Sequence, residues 1–273
     1  MMTTTETTLR AEPRGHYGIL HLARAEVAKI GTLRSTAITV GLTVVAALVV
    51  TGLVTHAQLA HTLLPNSGFD PTQTSLTGMI VVALTGGVFG ALLITNEYSS
   101  GMIRSTLAAA PNRPFLLAVK IGVSALVTVV FCEVLSFACF FLGQAILSGG
   151  GAPSATLASP GAAEAVVLTG VFIALLTLMS FGFGFAFRST AAAIAAFVGV
   201  VFVLPLVMQG IAQSDVRYLP TMILTNSIMA TVHQSGPPGF NGPVSATVGL
   251  LLMLLYAAIA MAAGALVFVK RDA

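Results

Sequence analysis

The chain has 273 residues, of which 56% are hydrophobic and only 8% are charged, with a net charge of +3. Soluble proteins carry roughly 25% charged residues, so too few charges are present here to cover a water-facing surface. Together with a mean hydropathy of +0.96, this excludes a soluble domain and points to a polytopic membrane protein. The two cysteines, Cys132 and Cys139, share one apolar run. They form no CxxC pair or His/Cys cluster, so they read as small hydrophobes in a helix rather than as zinc ligands or a disulfide framework.

In chain order, residues 1–16 form a Thr-rich polar tail expected to be disordered on the cytoplasmic side. Residues 17–33 place Ile19, Leu20, Leu22, Ala23, Val27 and Ile30 beside Arg24, Glu26 and Lys29. That pattern predicts an amphipathic helix lying along the inner membrane surface, the alternative being an extension of the first span. The first long apolar run starts at Thr36, too late for the apolar region of a secretory signal.

A helix needs about 20 apolar residues to cross the hydrocarbon layer. Six segments meet that requirement, at 36–55, 76–94, 115–147, 164–187, 190–212 and 244–269. The third is longer than one crossing needs, so it should tilt or protrude. Of the twelve Lys and Arg residues, a six-span layout gathers all but Arg217 on the side of the two termini. The positive-inside rule makes that side cytoplasmic. The fold class is therefore an all-α bundle of six transmembrane helices with both termini inside.

The connections differ in kind. Residues 56–75 form a polar loop with His56, His61 and Asp70, and 148–163 read as a flexible Gly/Ser/Ala/Pro linker. Arg188 and Ser189 leave room only for a tight hairpin between the fourth and fifth spans. In the last connection, Pro220 suits a helix start for residues 219–232, which are too short to span but able to dip into the outer leaflet. A GPPGFNGP turn follows at 236–243.

The stretch at 95–114, TNEYSSGMIRSTLAAAPNRP, is polar yet pressed between two apolar runs. Within it, 97–110 predicts a short cytoplasmic helix, with Asn96 as N-cap, Glu97 in the first turn and Arg104 towards the far end. Pro111 and Pro114 stop it.

Chemical machinery is sparse. The sequence has no GxxxxGK[ST], HExxH or GxSxG and no paired carboxylates at catalytic spacing, so no enzyme activity is expected in this chain. Glu133 is the one acidic residue deep inside a span, ~20 Å along the helix from Lys120. An intramembrane carboxyl reads either as a proton-linked group on a substrate path or as a neutral carboxyl bonded between helices. The pairs Gly86/Gly90 and Gly182/Gly184 suit close helix packing, and Pro205 predicts a kink in the fifth span.

These residues resemble the permease subunit of a type-2, exporter-class ABC transporter, of the separate-subunit kind found in high-GC Gram-positive bacteria. The resemblance rests on the six-span layout, the N-terminal amphipathic helix, NEYSSGMIRSTLAAAPNRPFLLAVK at 96–120 and YLPTMI at 218–223. It implies that 97–110 is a coupling helix docking on a separate ATP-binding subunit through Glu97, Tyr98, Gly101, Ile103, Arg104 and Leu107. Arg113 and Lys120 match the motif's basic tail. It also implies two permease chains, most simply a homodimer, with two ATP-binding subunits that hold ATP and Mg. This chain would carry no cofactor and bind no nucleic acid, would sit in the bacterial plasma membrane, and would close its path with the re-entrant segment at 219–232. Ser99, Ser100, Ser105 and Thr106 stand where many coupling segments are basic. The competing expectations are a secondary transporter or channel using Glu133, or a membrane partner that transports nothing.

Overall fold

The structure is a computed structural model that describes residues 18–32, 34–59, 69–103, 113–211, 215–230 and 244–271. The regular structure among the described residues is helical throughout. Among the described residues, six helices are long and apolar enough to cross a membrane: span 1 (Arg34–Leu59), span 2 (Pro71–Ser99), span 3 (Pro114–Gly149), span 4 (Ala162–Phe187), span 5 (Thr190–Gln209) and span 6 (Ala246–Phe268). The protein is an all-α, multi-pass helical membrane bundle.

Span 4 is the axis of the bundle. Its apolar window is 78% buried, against 17% in span 1 and 22% in spans 5 and 6, whose other faces are left for lipid or a partner. Close approach to span 4 depends on missing side chains. A methyl on Gly90 of span 2 would run into the Thr177 carbonyl, and one on Gly182 would meet the Ala260 backbone of span 6. The freed space lets polar groups meet across helices: Ser180 Oγ donates to the Gly87 carbonyl at 2.5 Å. Phe140, Phe172, Phe181, Phe185, Phe197 and Phe268 fill the remaining interior.

Span 2 starts earlier than its apolar run suggests. Asp70 caps a short helix, Pro71–Leu76, by accepting the Thr72 amide at 2.8 Å, and Pro71 occupies its first turn. Gln144 of span 3 donates to the Pro71 carbonyl (3.0 Å) and to Ser75 Oγ (2.9 Å) while accepting the Ala155 amide (2.6 Å). The connection between spans 3 and 4, expected to be a loose linker, is thereby tied at Ala155 to the start of span 2.

Span 5 breaks its α-helical pattern at Gly199–Val203, which form a π-helical turn just before Pro205. Proline has no N–H, so the Val201 carbonyl loses its usual donor four residues on. Thr221 Oγ1 supplies the replacement. Thr221 lies on a cap helix, Pro220–Ala230, whose 11 residues reach ~16 Å and cannot cross a bilayer. Its own Ile223 and Leu224 are buried, and Tyr256 of span 6 donates to the Tyr218 carbonyl just before it (3.1 Å). The GPPGFNGP turn lies outside the described residues.

Candidate functional site

The candidate site lies at the end of the bundle where the basic residues gather, around the last turns of span 2. The helix begun in the membrane runs unbroken through Asn96 and Glu97 to Ser99. This corrects the sequence expectation: Asn96 is not an N-cap, and Glu97 sits in the last turn of span 2 rather than the first turn of a new helix. Polar partners from neighbouring elements hold these residues in the continuing helix, whose cap comes from the chain itself, with the Ser100 amide donating to the Asn96 carbonyl (3.1 Å). The break falls at Gly101, whose φ of +71° is readily adopted only by glycine.

Glu97 is 2% exposed and belongs to a quartet of alternating charges. Lys120 of span 3 reaches Glu97 Oε1 at 2.5 Å and Glu26 Oε2 at 2.8 Å. Lys29 reaches Glu26 Oε1 at 2.8 Å and Glu97 Oε1 at 3.0 Å. Glu26 and Lys29 both come from the N-terminal helix, Ile19–Thr32. Three elements are therefore joined by two acids and two bases with no net charge, which is the condition under which charges tolerate burial. Burial alone would raise the Glu26 carboxyl, but Lys120 and Lys29 outweigh it and hold the group below its ordinary value. Burial likewise works to depress the Lys29 ammonium, yet Glu26 and Glu97 keep it above its ordinary value.

The quartet also explains how the N-terminal helix lies. Glu26 is its buried residue, whereas Ile19, Leu20 and Val27 of the expected apolar stripe are exposed. The helix turns its acid inward to Lys120 and leaves part of its apolar stripe outward, available to lipid.

Other groups complete the junction. Asn96 donates to Ser35 Oγ of span 1 (3.2 Å), and Thr190 of span 5 donates to Thr95 Oγ1 (2.7 Å). Arg188, in the tight turn after span 4, adopts a left-handed φ of 55°. Its guanidinium lies 5.5 Å over the Tyr98 ring and donates to the Val267 carbonyl of span 6 at 3.4 Å. The last turns of span 2 thus touch spans 1, 3 and 5, the N-terminal helix and, through Arg188, span 6.

The connection leaving this junction has an apolar anchor. Ile103 is buried beside Ile94, Leu117, Phe181, Phe185 and Phe268, drawn from spans 2, 3, 4 and 6. Phe185 contacts Phe181 and Phe268 edge-on at 4.9 and 5.5 Å. Of the residues singled out in the sequence, Glu97, Tyr98 and Ile103 face inward to the bundle, and Gly101 is exposed at the helix break. Arg104 and Leu107 lie outside the described residues. Arg113 opens the span 3 helix.

Glu133 is elsewhere, near the middle of span 3. Its carboxyl fits the notch left by Gly170 of span 4, where an added methyl would stand 2.6 Å from the carboxyl carbon. Both oxygens are buried without a hydrogen bond of normal geometry among the described residues. Ser136, one turn on, instead donates to the Val166 carbonyl at 2.7 Å. Among the described residues no group of three His, Cys, Asp or Glu side chains gathers at metal-binding distance.

The sequence reading missed the quartet as a unit. The available signal was scarcity: in a chain with so few charges, an acid and a base one turn apart at 26 and 29, beside Glu97 and Lys120 at helix ends, imply mutual pairing. Residues 65–273 match a family described as a protein of unknown function, DUF2705, which takes in spans 2 to 6. No curated protein matches the chain.

Proposed function

We propose that this chain, which belongs to the DUF2705 family of proteins of unknown function, is the membrane subunit of an ATP-driven exporter, moved by a separate ATP-binding subunit. The basic end faces the cytoplasm, as the placement of Lys and Arg argues. Two copies with two ATP-binding subunits form the working assembly in a bacterial plasma membrane.

The observation that carries the proposal is the anchoring of the 2–3 connection. A cytoplasmic push on that connection meets a buried ion quartet at Glu97 and an apolar clamp at Ile103, both continuous with several spans. Two rigid attachments at its entry suit a segment that transmits force; a passive surface loop has no need of either. The sequence has no phosphate-cradling loop, so a partner is the natural source of energy. Arg104 and Leu107 are the contacts assigned to that partner, while Glu97 and Lys120 hold the lever in the membrane subunit.

The test is co-purification from native membranes in a mild detergent, comparing wild type with Arg104→Glu/Leu107→Asp. The expected result is a P-loop ATPase recovered with wild type and reduced at least five-fold with the variant. An absence of ATPase from both, with the bundle intact, contradicts the proposal. The second reading, proton-linked transport, draws on the buried Glu133 carboxyl in the notch at Gly170. It requires substrate movement that follows a pH gradient without ATP and disappears in Glu133→Gln.

A further inference from the structure

A cavity of about 190 Å³ lies between the start of span 2, span 4, the π-helical turn of span 5 and the cap helix. Its apolar wall includes Leu76, Ile80, Ala83, Leu176, Phe202 and Leu224. Four uncharged polar side chains complete it, Gln73, Thr77, Thr221 and Thr225, and no charged residue lines it among the described residues. We infer that this cavity binds the apolar end of an uncharged amphiphile whose polar group donates a hydrogen bond, a medium-chain alcohol being the simplest example.

Size argues for part of a molecule rather than a whole drug. The space is only somewhat larger than the ~150 Å³ of an apolar protein cavity that takes benzene. It is smaller than the ~300–1,000 Å³ of sites that enclose drug-sized ligands. A ring or a short alkyl chain fills it, and the rest of the molecule extends beyond.

Polarity selects the head group. The described lining of threonines, a glutamine and apolar side chains offers no counter-charge to an ionic head in a low-dielectric site. The three threonine hydroxyls already spend their hydrogens on backbone carbonyls: Thr77 on Gln73 (3.2 Å), Thr225 on Thr221 (3.0 Å), and Thr221 on Val201. Each threonine oxygen retains lone pairs, and Gln73 adds an amide carbonyl beside its N–H donors, so acceptor-bearing side chains outnumber donor-bearing ones and a ligand donor is favoured. The irregular backbone beside the cavity fits this use. A π turn in a membrane helix leaves carbonyls to be satisfied by neighbours, and such turns are frequent at functional sites. The Thr221 hydrogen bond joins that turn to the cap helix, so opening the cavity at this wall includes breaking it.

This inference concerns the chain alone and does not depend on the ATP-binding partner. The experiment uses the purified full chain in phosphatidylcholine nanodiscs with a diazirine-bearing octanol as photoprobe, the adducts being mapped by mass spectrometry. Expected are adducts on the peptides containing 73–83, 201–202 and 221–225, reduced at least five-fold by excess 1-octanol. Ala83→Phe, which fills the space, should cut this labelling about ten-fold. Thr225→Val, which keeps the volume, should weaken protection by octanol several-fold and leave protection by octane unchanged. It guards against Ala83→Phe failing to fold. Competition by a diacylglycerol as well as octanol identifies a membrane lipid as the source, whereas competition by octanol alone identifies a free amphiphile. Labelling spread evenly over lipid-facing residues such as Leu126 and Val134 and unaffected by either variant overturns the inference. Equal protection by octanoate or octyltrimethylammonium overturns the uncharged class.

Discussion

Lys120 is the residue on which the basic end turns. Its ammonium, 3% exposed, contacts carboxylates from two different elements. Removing one partner from a buried ion pair costs about 3–5 kcal/mol, because the remaining charge is left in low dielectric. Lys120→Met should therefore lower stability by about 3 kcal/mol, read as a lower thermal midpoint in detergent, with Lys29 left to hold both acids. Glu97→Gln added to it should restore part of the loss, since the double change removes opposite charges together. A double variant as unstable as the sum of the singles would deny that Glu97 and Lys120 act as a pair.

The same group sets a pH dependence. Glu26 is held below its ordinary value in the fold. Its contribution is therefore present above the ordinary carboxylate pKa of about 4.3 and lost as pH falls through the lowered folded value. Lys29 is raised, so its contribution is present below about pH 10.4 and lost as pH rises through the raised folded value. The N-terminal helix should remain docked from about pH 5 to 10 and release in acid below that window. A spin label at Ala23 should report constant mobility across the window and a sharp gain in acid. A transition near neutrality would contradict the assignment.

At the scale of elements, the bundle depends on backbone contact at a few glycines. Gly90→Ala drives a methyl into the Thr177 backbone, and overpacking of this kind costs about 1–3 kcal/mol. Gly122→Ala meets nothing within 4 Å and should be neutral to within about 0.5 kcal/mol. Unfolding of both variants in mixed micelles checks the contrast. The spacing of Gly86 and Gly90 was visible in the sequence, but which helix they touch was not, because Thr177 lies in a distant run of similar composition. Pro205 announced a disturbance in span 5, but not that a threonine sixteen residues on supplies the missing donor. The end of span 2 misled for a related reason. Asn96 and Glu97 have cap-like chemistry locally, and only their tertiary partners, Ser35, Lys29 and Lys120, draw them into a continuing helix.

At the scale of the molecule, the six spans were legible because bilayer thickness and apolar run length set them directly. The central place of span 4 was not, since all six runs are apolar and nothing in one run states which others surround it. Basic-residue placement also predicts orientation. Cysteine at Ser154 should react with an impermeant maleimide on intact cells, and cysteine at Ser100 only after permeabilisation. The native Cys132 and Cys139 are buried and should stay silent. The reverse pattern would invert the bundle and remove the 2–3 connection from the cytoplasm.

The central claim is that the 2–3 connection docks on an energy-supplying partner. Its most direct measurement is a photo-cross-linking amino acid at Leu107, activated in native membranes, with the adduct identified by mass spectrometry. The account predicts one dominant adduct, to a cytoplasmic protein carrying a P-loop, diminished by Arg104→Glu. Adducts only to lipid or to a second copy of this chain, with the quartet intact, would contradict it.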